Sequence, residues 1–263
     1  MVVFGLTVAL ASASTARADP TLAAAGDISS CSNDGDSRTA TLAKSLDPRR
    51  VAALGDLAYP DGTLAQFRDC YRPTWGQFKW KTRPVPGNHE YDTAGAKGYR
   101  TYFDMWGHLW YAYNLGNWRV YALDSERRIS DQAAFLRRDM ASHPRDCYLA
   151  YWHEPRWSDG LSGDSFAVSP LWDAFANHGG DVVLSGHDHN YQRWARIAGV
   201  REFVVGTGGK GNTRLVRDRA QVESATSFGV LVLTLHPHRY EWRFRPVAGH
   251  YFHDSGWNRC RND

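Results

Sequence analysis

The 263-residue chain is 43% hydrophobic and 22% charged, the balance of a soluble globular protein long enough to bury a sizeable core. Its formal charge of +3 is spread without a dense Lys/Arg tract, which argues against a nucleic-acid-binding face and leaves only a mild field favourable to an anionic substrate. No Pro/Ser-rich linker, charge block or internal repeat divides the chain, so one domain over residues 19–263 is expected.

Residues 1–18 have the pattern of a secretory signal. An apolar run over 2–10 is followed by Ala16-Arg17-Ala18 before Asp19, although no Lys or Arg precedes the run. A buried first strand is the competing reading. Export predicts a secreted, cell-envelope or periplasmic protein, with no membrane attachment once the signal is cleaved. Cys31, Cys70, Cys147 and Cys260 include no C-x-x-C, so a thiolate zinc site is disfavoured. In an oxidising compartment two disulfides are expected. Three connectivities are open, and Cys31–Cys70 with Cys147–Cys260 is favoured.

A strand over 21–26 ends at Gly26-Asp27, and helical spacing over 36–46 places Asp36 or Ser37 as N-cap. A second strand over 51–54 ends at Gly55-Asp56. A helix over 63–70 and an extended segment over 83–86 lead to Gly87-Asn88-His89. Residues 110–115 and 118–123 flank Gly116-Asn117 as a hairpin, followed by an amphipathic helix over 130–142. A strand over 148–152 ends at His153. A helix over 170–177 and a strand over 182–184 lead to Gly186-His187. Two hairpins close the chain, 191–196 with 202–205 and 229–235 with 239–245. Strand and helix alternate early and strands dominate late, an α/β (α+β) pattern.

Five short motifs lie just beyond the strand ends: Gly26-Asp27, Gly55-Asp56-Leu57-Ala58-Tyr59, Gly87-Asn88-His89-Glu90, His153 and Gly186-His187-Asp188-His189. Asp27 and Asp56 are hard oxygen ligands, and Asp56 can bridge two cations through its two oxygens. His153, His187 and His189 are nitrogen ligands suited to zinc, iron or manganese, and in a strand-like segment His187 and His189 share one side. Asn88 adds a neutral amide oxygen. Two cations side by side can clamp a phosphoryl group around a shared hydroxide, and His89 is placed to assist the leaving oxygen. Any one of these residues alone is more often a turn or packing residue, but together they point to metal-assisted hydrolysis.

On these motifs the chain resembles the calcineurin-like metallophosphoesterase superfamily, whose pattern runs D-x-H, GDxxx, GNH[DE], H and GHxH. Within it the chain resembles the purple acid phosphatases. The histidine of D-x-H is replaced here by Ser29 in Asp27-Ile28-Ser29, and Tyr59 stands where those phosphatases carry a compensating tyrosine. The run Gly186-His187-Asp188-His189-Asn190-Tyr191-Gln192-Arg193 is similar to their GHxHxYxR. The resemblance implies a four-layer sandwich of two mixed β-sheets flanked by helices. It implies a first metal held by Asp27, Asp56, Tyr59 and His189, and a second held by Asp56, Asn88, His153 and His187. The ions implied are iron with zinc, manganese or a second iron, with a tyrosinate colour from Tyr59. His89 becomes the catalytic acid, with Asn88, His89 and Glu154 at the substrate.

No counterpart of the N-terminal β-sandwich domain of the plant enzymes is expected, and the chain is similar to the shorter bacterial forms. Glu154 also departs from the pattern, because a second histidine often follows the ligand there. A carboxylate beside phosphate calls for a proton or a partner, for which Arg156 is the candidate.

The reaction implied is hydrolysis of a small phosphate monoester by a metal-bound hydroxide. A phosphodiesterase or nucleotidase on the same site is the nearer rival. A non-catalytic, metal-containing glycan or cell-wall binding protein is the more distant one, and ligand loss is its expected mark. Gly206-Thr207-Gly208-Gly209-Lys210-Gly211 matches G-x-G-x-x-G without a surrounding βαβ unit, so it is read as a tight loop beside the metals; Lys210 is either a substrate contact or, as favoured, a solvated loop lysine. His236, His238, His250 and His253 are read as surface residues. No G-x-S-x-G or Walker A motif is present. Of eleven tryptophans, Trp75, Trp80, Trp106 and Trp110 lie around the third motif and are candidates for shaping a pocket.

Overall fold

The computed structural model describes residues 18–262, so the export signal expected over 1–18 lies outside the described residues apart from Ala18. In chain order the elements begin with β1 (Thr21–Ala25), α1 (Gly35–Leu46), β2 (Arg50–Leu54) and the short α2 (Leu64–Gln66). A π-helical turn over Phe67–Tyr71 and a tighter 3-10 stretch over Trp75–Lys81 precede β3 (Thr82–Val85). Then come α3 (Asn88–Asp92), α4 (Lys97–Phe103), β4 (Tyr111–Leu115), β5 (Trp118–Ala122) and α5 (Ile129–Ser142). These are followed by β6 (Tyr148–Tyr151), α6 (Ser169–Ala176), β7 (Val182–Ser185), β8 (Tyr191–Arg193) and β9 (Arg201–Val205). The elements of the tail are all strands: β10 (Val222–Ser224), β11 (Gly229–Leu235), β12 (Arg239–Pro246) and β13 (Ser255–Arg259).

These strands form two mixed sheets. The first has six strands in the order β13-β12-β11-β1-β2-β3, and the second has seven in the order β10-β8-β9-β7-β6-β5-β4. β1, β2 and β3 are parallel, as are β5, β6, β7 and β9. Their compositions follow from burial on both faces. Leu22 to Ala25 and Ala52 to Leu54 are wholly inaccessible, which is why β1 and β2 read as continuous apolar runs.

β6 shows the layering directly. Leu149 and Tyr151 pack into the core shared by the two sheets, while Tyr148 and Ala150 pack outward with Leu136 of α5 and Phe175 of α6. α1 contributes Ala40 and Ala43 to the same contiguous apolar cluster. Two mixed sheets flanked by helices are thus the architecture expected from the sequence.

Several boundaries differ for local reasons. α1 begins at Gly35 with Asp34 at the cap position; Asp36, expected to cap, lies inside the helix, and its Oδ2 accepts from Thr74 Oγ1 at 3.0 Å. Thr63 does cap the next helix, in a box with Gln66, but the α-turn gives way to a π-turn at Phe67. α3, α4, β10 and β13 carry no periodic signal strong enough to be legible in the sequence. Both favoured disulfides are present, Cys31–Cys70 and Cys147–Cys260. The second joins the start of β6 to the residue after β13, and so spans the two sheets. Among the described residues no helix is long and apolar enough to cross a membrane.

Candidate metal centre

The loops leaving β1, β2, β3, β6 and β7 converge. Gly26 N–H donates to Val205 O at 2.9 Å, which joins the end of β1 in the first sheet to the end of β9 in the second. His153 Nδ1 lies 2.8 Å from Leu54 O across the same seam. Asp27, Asp56 and His187 all adopt the left-handed region, with φ of 59°, 52° and 69°. Non-glycine residues held there mark functional positions more often than chance, because the surrounding fold must bear the strain.

Seven side chains expected from the sequence form two adjoining groups. In the first, Tyr59 Oη lies 3.0 Å from Asp27 Oδ1, 2.9 Å from Asp56 Oδ2 and 3.2 Å from His189 Nε2. His189 Nε2 is 3.3 Å from Asp27 Oδ1. In the second, Asn88 Oδ1 lies 3.2 Å from His153 Nε2 and 3.1 Å from His187 Nδ1, and those two ring nitrogens are 3.2 Å apart. Asp56 belongs to both groups, since its Oδ1 is 3.4 Å from His153 Nε2. Asp27, Asp56 and His153 present their ligand atoms within 4.8 Å of one another, all buried.

His187 and His189 are not brought together by a strand. Residues 186–190 form a loop after β7, and Asp188 between the histidines accepts from Ser162 N–H at 3.0 Å and from Ser158 Oγ. The loop sends one imidazole to each group.

Protonation describes the same demand for positive charge. Burial would raise the Asp56 carboxyl, but the His153 and His89 charges and hydrogen bonds hold it well below the ordinary carboxylate range. Burial would lower His153, yet Asp56 and Asp27 push it well above the usual imidazole value. His189 is raised in the same way against burial, chiefly by Asp27. Burial and then the His153 charge lower His187. Tyr59 is pushed far up by burial and by the two aspartates.

Geometry tests the fit to cations. Nδ1–H of His153 donates to Leu54 O, which leaves Nε2 as the lone-pair nitrogen facing the oxygens of Asn88 and Asp56. Acceptors aimed at acceptors at 3.2–3.4 Å require a proton or a cation between them. The donor set of carboxylate, imidazole, amide and phenol oxygen suits transition-metal cations.

Glu90, which the sequence reading named only as part of a motif, holds this geometry. Its Oε2 accepts from Asp56 N–H and Gly87 N–H at 2.9 and 2.8 Å, and its Oε1 accepts from Leu57 and Ala58 N–H at 2.9 and 3.3 Å. One buried carboxylate therefore fastens the second motif to the third. Its sequence signal is the three-residue spacing from Gly87 to Glu90 at the start of α3, which lets the carboxylate reach back to the Gly87 N–H. Gly87 admits no side chain, since a Cβ there would come within 2.3 Å of Asp56 Oδ1.

His89 stands beside the groups. Its ring centroid is 4.5 Å from that of Tyr59, its Nδ1 bonds Pro60 O, and its Nε2 is 3.7 Å from Asp56 Oδ2. Glu154 gives one oxygen to Ser165 Oγ at 2.6 Å. Arg156, the expected partner of Glu154, instead lies over Trp157 and Phe166. Tyr191 and Arg193 of the fifth motif bind Asp254, at 2.7 and 2.8 Å, and brace the sheet. Trp75 is a core residue, and Trp80, 71% exposed, lines grooves beside Arg83 and Arg50 at the opposite ends of β3 and β2.

Residues 20–191 match the model of the calcineurin-like phosphoesterase family. Purple acid phosphatase 15 of Arabidopsis thaliana is 24% identical over 234 residues, which is 69% of this chain and 43% of that protein, so the chain spans under half the length of this relative. A purple acid phosphatase from yellow lupin seeds shares the fold with a TM-score of 0.73 at 18% identity, covering 90% of this chain and 53% of the other. GAP50, described as the anchor in the inner membrane complex of Plasmodium, aligns with a TM-score of 0.75 at 14% identity over 93% of this chain and 90% of its own. With well over half its length matched, and its five motifs gathered at one seam between two sheets, the chain belongs to the calcineurin-like phosphoesterase family.

Proposed function

We propose that this chain is an exported phosphoesterase with two metal ions that hydrolyses phosphate monoesters, its catalytic domain occupying residues 19–263. The observation that carries the reading is the mutual facing of acceptors, His153 Nε2 against Asn88 Oδ1 and Asp56 Oδ1, beside a tyrosine hydroxyl shared by Asp27 and Asp56. Asp27, Asp56, Tyr59 and His189 would hold one ion, and Asp56, Asn88, His153 and His187 the other. Tyr59 favours iron at the first position, with zinc, manganese or iron at the second. Bound there, the pair would supply an activated water and neutralise charge on the phosphoryl oxygens.

The protein's own groups do the rest. Asn88 and His89, with Glu154, contact the substrate. His89 anchors Nδ1 on Pro60 O, so that Nε2 of the imidazolium carries the proton delivered to the leaving oxygen. Two disulfides and the sequence pattern of residues 1–18 support an extracellular or envelope location. Retention of all seven candidate ligands supports catalysis over a purely structural role of the kind named for GAP50.

The test is hydrolysis of an aryl phosphate monoester by the purified protein before chelation, after it, and after metal add-back. Turnover that chelation abolishes and metal restores supports the reading. A preference for diesters moves it to a phosphodiesterase, and no turnover with any metal overturns it.

A further inference from the structure

The Gly-rich segment at 206–211, expected from the sequence as a tight loop beside the metals, carries one cation to the seam. We propose that Lys210 is the residue that selects doubly charged phosphate monoesters over singly charged diesters, an inference that deepens the phosphoesterase reading and rests on it. Lys210 Nζ lies over the ring of Tyr59, 5.1 Å from its centroid. That ring's hydroxyl lies between Asp27 and Asp56. No other Lys or Arg among the described residues pairs with or lies over any of the seven candidate ligands, and the Lys210 ammonium forms no ion pair there.

The backbone beneath it is fixed. Lys210 N–H donates to Asp27 O at 2.9 Å, and its carbonyl accepts from Asn33 Nδ2 at 3.1 Å. On one side Gly208 N–H bonds Gly26 O at 2.9 Å, and on the other Thr213 N–H bonds His189 O at 2.9 Å. Gly209 packs so closely on the start of α1 that a Cβ on Gly35 would come within 2.2 Å of its carbonyl. The segment is thus tied to the two residues, Asp27 and His189, that bracket the first group. A partly exposed ammonium on a fixed backbone, with no carboxylate partner, is a standing site for an anion. A monoester above its second pKa, near 6, carries about two negative charges and a diester one, so a nearby cation favours the monoester roughly in proportion to charge.

The test compares wild type, Lys210→Met and Lys210→Arg at equal metal content and equal thermal stability. KM and kcat are measured on an aryl phosphate monoester and a bis-aryl diester, and inorganic phosphate binding to the metal-loaded protein is measured by calorimetry. Lys210→Met is expected to raise the monoester KM and the phosphate Kd on the order of tenfold, with the diester KM changed less than threefold and Lys210→Arg restoring most of the loss. Equal losses on both esters, or none on either, overturn the proposal. If wild type turns over neither ester while phosphate binding still depends on Lys210, the catalytic reading fails and the anion site stands.

Discussion

In the proposed site, Tyr59 is the residue on which the identity of the first metal would turn. Its phenol is held in the protonated form by burial and by two aspartates, so only a strongly acidic cation can displace the proton. If that cation is ferric iron, Tyr59→Phe should abolish a visible absorption band while the fold, by circular dichroism, stays intact; an unchanged spectrum removes the iron–tyrosinate assignment. Asp56→Asn should lose bound metal and activity together, because Asp56 is the one side chain common to both groups, and full activity in that variant would end its bridging role. Glu90 touches no group expected to bind metal except through backbone. Glu90→Gln leaves donors facing donors at one oxygen, so metal affinity should fall about 10–100-fold and stability by roughly 1–3 kcal/mol, measured by metal titration and thermal melts. At this scale the sequence was highly informative: residue types and motif order named six of the seven converging side chains, and the resemblance supplied Tyr59. Glu90's role was hidden because its partners are main-chain N–H groups from Asp56 to Ala58, which no side-chain pattern encodes.

Among the elements, β9 does more than fill the second sheet. Its Glu202 accepts from Arg156 and Trp157 N–H at 2.9 and 3.0 Å and so holds the loop that follows His153. Burial pushes this carboxyl up to about 8 from an ordinary 4.5, against the pull of those two N–H groups. Between these values the folded chain keeps a proton that the unfolded chain has released. The associated stability is full below 4.5 and is lost as pH rises through 8, at up to about 1.4 kcal/mol per unit. Asp181, raised to about 6 by burial, acts in the same direction over a lower window. The melting temperature should therefore fall from pH 5 to pH 8 at constant metal loading, and Glu202→Gln should flatten that fall; a parallel decline in the variant would clear Glu202. The strands were legible because parallel strands buried on both faces leave uninterrupted apolar runs, as Val182 to Leu184 do. α3 and α4 were not. They are a turn or two long, and α4 is entered at Ala96 and left at Asp104 through left-handed residues that tertiary packing imposes.

For the whole molecule, the seam between the sheets is the controlling feature. Cys147–Cys260 crosses it and closes a loop of 113 residues. Replacing both cysteines by alanine should cost about 4–5 kcal/mol and lower the melting temperature by roughly ten degrees, read by calorimetry under non-reducing conditions. The two-sheet plan was not readable from periodicity, which gives strands but not their partners; it followed from the resemblance. β1, which delivers Asp27, lies between β2 and β11, and β11 belongs to the last quarter of the chain. Every candidate ligand has been synthesised once His189 is added, yet the strand that seals the open edge of β1 begins only at Gly229. A nascent chain thus passes through a stage that is chemically complete and architecturally open, able to present aspartates and histidines to any passing ion without the geometry to discriminate among them. On the proposed two-ion reading, selective loading would have to wait for the final hairpin, and the ions acquired would be set by the place where synthesis and docking finish.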